Sequence, residues 1–457
     1  MRDLIIIGGG AGAVAAALRA SQLGSKVTVI EEKELGGVCT NRGCIPTKAL
    51  LHSVLLYNSF RNADAFGIRV NGASLDHEKL AKKKTDLVNY LRMGTNFLLK
   101  SKGIEVIKGR ASFADPHSVK VNGTTYASKI FIIATGSKWE RPSIPGFEME
   151  EVISSDQALD LTVPPKSIAV LGGGPIEVEF ALYFALIGSK VTIIEESSRI
   201  LPSEDREISN RMAAALKDKG ILIKKSCKVQ SAGKQNGELT VSLSSEAGQE
   251  SVQTDIILTM KRLANLDGLE LENAEVLADN NGILVDDTFR TNQTHIFAIG
   301  DVTGGPMYSN RASAQGIAAA ENIHGYNTKI NPDAIPRAFY TAPEIGAVGI
   351  TEKEAKKQGL EIRVGVIPFG MNSRAMILMD INGIIKLISD AKNGRILGVH
   401  IIGPNATELI GQAALAMHLK ATDEDLSRAI FPHPSLSESL TEAAREALGR
   451  SLYMPSR

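Results

Sequence analysis

Apolar positions along the chain gather in short β-branched runs that feed glycine clusters, and two of these groups repeat each other. Leu4 to Ala13 is a run of Leu and Ile entering Gly8-Gly9-Gly10, and Ile168 to Glu177 repeats that plan. Downstream, Gly24-Ser25-Lys26-Val27-Thr28-Val29-Ile30-Glu31-Glu32 returns as Gly188-Ser189-Lys190-Val191-Thr192-Ile193-Ile194-Glu195-Glu196, identical at eight of nine positions and offset by 164. Each copy reads as strand, glycine-rich turn, helix, strand and acid. Between the copies, residues 44 to 60 and 75 to 102 have helical periodicity, with Lys and Arg on the polar side. Residues 104 to 136 alternate in short strand-like runs that end at Ile130-Phe131-Ile132-Ile133-Ala134-Thr135-Gly136. Pro142, Pro145 and Gly146 then make a turn-rich break, and residues 263 to 282 lack a long regular pattern. From about residue 331 the texture changes to strands, a helix over Glu408 to Leu419, and a polar, helical C-terminal stretch.

The two glycine turns carry a specific chemistry. A strand entering Gly-x-Gly-x-x-Gly/Ala at the head of a helix turns backbone N–H groups and the helix dipole toward a pyrophosphate. Gly8, Gly10 and Ala13 fit, with Glu31 placed 23 residues after Gly8 to accept from a ribose diol. Gly172 and Gly174 begin the second copy, with Glu195 again 23 residues on. Two copies with matching acids imply two dinucleotides, such as FAD and NAD(P). The third small position of the second copy is Glu177, a carboxylate near an incoming pyrophosphate. A further strand ends at Ile296-Phe297-Ala298-Ile299-Gly300-Asp301, which is either a plain turn or, beside a flavin-type first motif, a place for Asp301 to hold a ribityl hydroxyl.

Composition narrows the partners. Lys plus Arg is 51 and Asp plus Glu is 51, so no charge excess favours nucleic acid or anionic membranes. The early apolar run Leu4 to Leu18 is shorter than the roughly 20 residues that span a bilayer and is interrupted by glycines, so a cytoplasmic protein without a membrane segment is expected. Three cysteines in 457 residues make no disulfide framework. Cys39 and Cys44 lie five apart in Gly36-Gly37-Val38-Cys39-Thr40-Asn41-Arg42-Gly43-Cys44-Ile45-Pro46-Thr47-Lys48, where Pro46 suits the first turn of a helix. The positive end of that helix favours a thiolate. A redox dithiol, a metal site and inert cysteines all remain readings of the pair, although no further ligands lie at metal spacing and no metal is expected. His433, between Pro432 and Pro434 and five residues before Glu438, is either a structural turn histidine or a general base oriented by that carboxylate.

The run from Gly36 to Lys48 resembles the redox-active disulfide segment of the flavin-dependent pyridine nucleotide–disulfide oxidoreductases. The resemblance covers nearly the whole chain, through Ala134-Thr135-Gly136, Ala298 to Asp301 and His433-Pro434-Ser435-Leu436-Ser437-Glu438. It is most similar to the branch that moves electrons between a lipoyl-type dithiol and NAD, as Tyr340-Thr341-Ala342-Pro343-Glu344, His400-Ile401-Ile402-Gly403-Pro404 and Glu424-Asp425-Leu426 suggest. The resemblance implies an α/β fold with two Rossmann-like dinucleotide-binding domains and a C-terminal α+β dimerisation domain. The corresponding boundaries are 1–147 and 266–330 for the FAD-binding and central parts, 148–265 for the NAD(P)-binding-like domain, and 331–457 for the interface domain. It further implies FAD and NAD as cofactors, Cys39 as the thiol that meets substrate, Cys44 as the thiol against the flavin, and Lys48 by the flavin ring and paired with Glu179. His433 and Glu438 would serve the active site of the opposite subunit of a homodimer, whose substrate is a lipoylated protein or a small dithiol or disulfide. The tail Leu452-Tyr453-Met454-Pro455-Ser456-Arg457 lacks the extra cysteine pair of some relatives, and Glu195 would repel the 2′-phosphate of NADP.

Three departures lie in or near the second nucleotide site. Glu177 replaces a small residue. Met260-Lys261-Arg262-Leu263-Ala264-Asn265 aligns with a family segment ending Gly-Arg-x-Pro-Asn, so Lys261 replaces glycine and Ala264 replaces proline. Glu177 and Lys261 either both point aside to solvent and leave NAD to bind normally, as the retained Glu195 favours, or face each other across the nicotinamide cleft as an ion pair that weakens or blocks NAD(H). In the second arrangement the flavin would exchange electrons with another carrier.

Overall fold

The structure, a computed structural model, describes residues 1–235 and 238–454. The last three residues of the tail, and so of the expected 331–457 domain, lie outside the described residues.

The first repeat forms the strand Arg2–Ile7, the helix Ala11–Gln22 and the strand Val27–Glu31. Leu4, Ile5, Ile6 and Ile7 are at most 3% exposed, because helices and sheet cover both faces. That double burial is why this strand reads as a continuous apolar run rather than an alternation. Its parallel neighbours are Val27–Glu31 and the second half of Thr124–Ile133, with Glu105–Lys108 and Ile296–Ala298 outside them. The first half of Thr124–Ile133 pairs antiparallel with Ser118–Val121, and that strand with Ala111–Asp115.

The second repeat forms the strand Ser167–Leu171, the helix Pro175–Leu186 and the strand Lys190–Glu195 in its own parallel sheet. The periodic segments after the cysteines become the helices Cys44–Arg61 and His77–Ser101. The helix Pro175–Leu186 is buried nearly all round, since Leu50, Leu51 and Val54 of the cysteine helix join Val178, Phe180, Ala181 and Leu182 in one core. This contact sets the cysteine helix against the second nucleotide unit.

In the C-terminal part, antiparallel strands run in the order Arg337–Phe339, Glu344–Gly349, Ile396–Gly403, Ile384–Asp390, Ile362–Pro368. Helices Ala406–His418 and Glu438–Ala447 share their core. The helix Ser309–Ile323 crosses Ala11–Gln22 so closely that a Cβ on Gly316 would fall 2.2 Å from Gly12 O. Only glycine permits that crossing, which delivers Ser309 to Cys44. Among the described residues no helix is long and apolar enough to cross a membrane.

Candidate functional site

The first glycine loop and the cysteine segment converge on one cavity of about 650 Å³, to which the helix after the second glycine loop adds Ile176, Glu179 and Phe180. It is lined by Gly8, Gly10 and Glu31, by Cys39, Cys44 and Lys48, and by Gly136 and Asp301. Gly8 has φ +110° and a Cβ there would stand 2.3 Å from Ala134 O, so the turn requires glycine. Gly10 begins the helix Ala11–Gln22 with no capping side chain and no acid in the first turn. A Cβ on Gly10 would meet nothing closer than Gly37 Cα at 3.9 Å, so the loop is open toward the cavity. Ala13 is fully buried and lets helix and strand approach.

Glu31 Oε1 accepts from Lys33 N at 2.6 Å, and burial pushes its carboxyl above the usual range against the pull of the Lys33 and Gly9 amides. Glu195 repeats that geometry: Oε1 accepts from Ser197 N at 2.6 Å and Oε2 from Gly173 N at 2.5 Å. Asp301 Oδ2 accepts from Ser137 Oγ at 2.7 Å, and Arg262 Nε donates to the same hydroxyl at 3.0 Å. Ser137 and Arg262 carry no sequence signal as part of the site; the pairing of Ser137–Trp139 with Arg262–Ala264 brings them to it.

Cys44 is the first residue of its helix, as the Pro46 argument expects, but Cys39 lies in a separate short helix, Gly37–Arg42, that precedes it. Gly43 is the single residue between the two helices. The Cys44 thiol is pushed down to about 6, first because Cys39 donates to it, and further by Lys48 and Ser309. The Cys39 thiol is pushed strongly up by its hydrogen bond to Cys44 and by burial. Cys44 Sγ lies 3.8 Å from Ser309 Oγ, a neighbour 265 positions away that sequence spacing has no means to reveal. Lys48 Nζ lies 2.5 Å from Glu179 Oε2, and Glu179 Oε1 accepts from Tyr340 N at 2.9 Å.

His433 stands apart from this cavity, 74% exposed at its side chain. Its Nδ1 lies 3.0 Å from Glu438 Oε1, and Glu438 Oε2 accepts from Ser435 N at 2.8 Å. Partial burial pushes the Glu438 carboxyl up, but the Ser435 amide and His433 bring it below its ordinary range. Among the described residues no group of three or more His, Cys, Asp or Glu is placed to hold a metal ion.

Of the two arrangements open to Glu177 and Lys261, the ion pair between them does not form. Lys261 Nζ pairs with Glu140 Oε2 at 2.5 Å, because the strand Arg262–Ala264 runs antiparallel beside Ser137–Trp139 and sets Lys261 next to Glu140. Glu177 turns back over its own glycine loop: a Cβ on Gly174 would fall 2.6 Å from Glu177 Oε2, and one on Gly172 3.3 Å from its Cγ.

Comparison with known proteins places the chain in a family. A family model described as pyridine nucleotide-disulphide oxidoreductase matches residues 2–316, and one for the dimerisation domain of such proteins matches 335–444. The dihydrolipoyl dehydrogenase of Bacillus subtilis is 39% identical over 99% of both chains. That of Thermus scotoductus is 39% identical over all of this chain and 99% of its own. Among solved structures, the HOCl-induced flavoprotein disulfide reductase RclA from Escherichia coli superposes with TM-score 0.85 at 31% identity, covering 97% of this chain and 99% of its own.

Proposed function

The chain belongs to the pyridine nucleotide-disulphide oxidoreductase family, and from that premise we propose that it is an FAD-dependent dihydrolipoyl dehydrogenase that passes electrons from a dithiol to NAD. The observation that carries the reading is the Cys39–Cys44 pair lining the same cavity as an open glycine loop.

The residues present fit FAD. Gly8 shapes the turn, the space beside Gly10 is open, and the uncapped amides after Gly10 suit a pyrophosphate. Glu31 would hold the ribose diol, Asp301 a ribityl hydroxyl, and Gly136 the backbone alongside, while Lys48 would lie by the ring. When bound, FAD supplies a two-electron relay between the thiols and the nicotinamide. The second loop, with Gly172, Gly174 and Glu195, would take NAD, the acid at Glu195 disfavouring a 2′-phosphate.

The chain's own chemistry is thiol–disulfide exchange. A substrate thiolate attacks Sγ of Cys39 in the oxidised pair, the Cys39–Cys44 bond breaks, and Cys44 leaves as thiolate. The second substrate thiol attacks the substrate sulfur of the mixed disulfide, closing the product disulfide and releasing Cys39. Of the two substrate protons, one goes to His433 and one remains on Cys39. The opposite shifts of the two cysteines support this division, with Cys44 the thiolate and Cys39 the thiol. With Glu438 accepting from Nδ1–H, His433 keeps Nε2 free as the base. The match to a dimerisation model and the distance of His433 from the cavity support a homodimer in which it serves the other subunit's cysteines. The substrate would be a lipoylated protein or a small dithiol.

Anaerobic mixing of the oxidised holoenzyme with dihydrolipoamide, and separately with NADH, tests the reading. Loss of flavin absorbance with both is expected; no reduction by dihydrolipoamide would overturn it. A second reading, in which NAD is used weakly or not at all and another carrier takes the electrons, is favoured by one feature, Glu177 over the second glycine loop.

A further inference from the structure

The two glycine loops share a backbone plan but present different surfaces. In each, the second glycine is the point at which backbone approaches a pyrophosphate, so the direction of its missing Cβ marks the phosphate's place. At Gly10 that direction is open to 3.9 Å, whereas at Gly174 it ends 2.6 Å away on Glu177 Oε2. The intruding carboxylate also accepts from its own backbone N–H in the first turn of the helix Pro175–Leu186. A carboxyl already sits, therefore, where the helix dipole and free amides attract an anion.

We propose that Glu177 is a built-in stand-in for the pyrophosphate of the nicotinamide nucleotide, so that NAD binds only by displacing this carboxylate from the second glycine loop. The inference rests on the reading of this loop as the NAD site and adds its regulation. Glu177 pairs with no cation among the described residues, and the charged groups acting on it are Glu195, at the end of the strand Lys190–Glu195, and Glu179, two residues further along its own helix. Both disfavour its charge, and burial disfavours it more, so the carboxyl is pushed up to about 7. A neutral carboxyl repels neither phosphate and gives up its place easily. Lowering the pH through that value therefore tightens NAD, and raising it weakens NAD.

The test is calorimetric titration of NAD⁺ into the oxidised holoenzyme from about pH 6 to about pH 8.5, with wild type, Glu177→Gln and Glu177→Gly. One linked proton allows at most about tenfold in Kd per pH unit, and wild type is expected to weaken by roughly tenfold over this range. Both variants should bind with no such dependence, Glu177→Gly the more tightly at the upper end. A wild-type Kd that is flat with pH and equal to that of Glu177→Gly overturns the proposal, as does failure of all three proteins to bind NAD⁺. Reduction of the same preparations by dihydrolipoamide is read in parallel. Its failure beside the expected binding pattern would sink the dehydrogenase reading while leaving the role of Glu177 standing.

Discussion

Lys48 and Glu179, 131 positions apart, meet at 2.5 Å with the Glu179 side chain only 3% exposed. The pair joins the cysteine helix to the helix of the second glycine loop, and the Tyr340 amide completes the carboxylate's partners from the C-terminal part of the chain. Three regions thus share one buried charge.

Breaking this pair from the lysine side leaves Glu179 buried and half-satisfied. Lys48→Met is expected to cost about 3 kcal/mol, as for a buried pair that loses one partner, measured by urea unfolding of the holoenzyme. A loss within experimental error of zero would show that the pair is solvated in solution.

Lys48 also acts on Cys44. In the reduced, flavin-free protein the ultraviolet thiolate absorbance should rise with a midpoint near the value of about 6 set at Cys44. Because this thiol is shifted down, the thiolate is present above that midpoint and is protonated as the pH falls through it. Lys48→Met should move the midpoint up; an unmoved midpoint would take Lys48 out of the account.

His433→Gln should lower turnover with dihydrolipoamide by roughly 10²- to 10⁴-fold, the usual contribution of a general base. Flavin reduction by NADH should stay close to wild type, since that half of the reaction needs no base at the thiols. Glu438→Gln should give a smaller loss of the same kind, because His433 remains but is no longer held through Nδ1 by a charge. Equal losses with both reductants would point to a folding defect instead.

Assignment of His433 to the other subunit has its own test. Subunits carrying Cys39→Ser and subunits carrying His433→Gln, inactive alone, are mixed, dissociated and reassociated. Heterodimers then hold one complete site, and random pairing gives roughly a quarter of wild-type activity. No recovery would place His433 at the cysteines of its own chain.

At Gly8, an alanine meets both a left-handed backbone and a Cβ 2.3 Å from Ala134 O. Gly8→Ala is expected to purify without flavin, as read from the ratio of visible to protein absorbance. Full flavin content would mean that the loop relaxes without losing its ligand.

The repeat, the two glycine turns and the cysteine spacing were legible in the sequence because each is written over a few consecutive residues. Gly8, Gly10 and Glu31 belong to one strand–turn–helix–strand unit, and the copy at Gly172 folds the same way for the same local reasons. His433 and Glu438 are likewise five positions apart, and a single turn of chain is enough to bring them together. The resemblance carried the Lys48–Glu179 pair and Asp301 across longer distances.

What no local pattern contained was decided by packing between elements. Ser309 reaches Cys44 only because Gly316 lets its helix lie against Gly12, and Arg262 reaches Asp301 only through Ser137 on a neighbouring strand. The same strand pairing gave Lys261 to Glu140 and overturned the ion pair that charge alone suggested, leaving Glu177 to turn onto its own loop. Sequence determined which short segments make glycine turns between strand and helix and which two cysteines lie close. Tertiary structure decided which charges meet, because a side chain's partner is set by the nearest surface after packing and not by its distance along the chain.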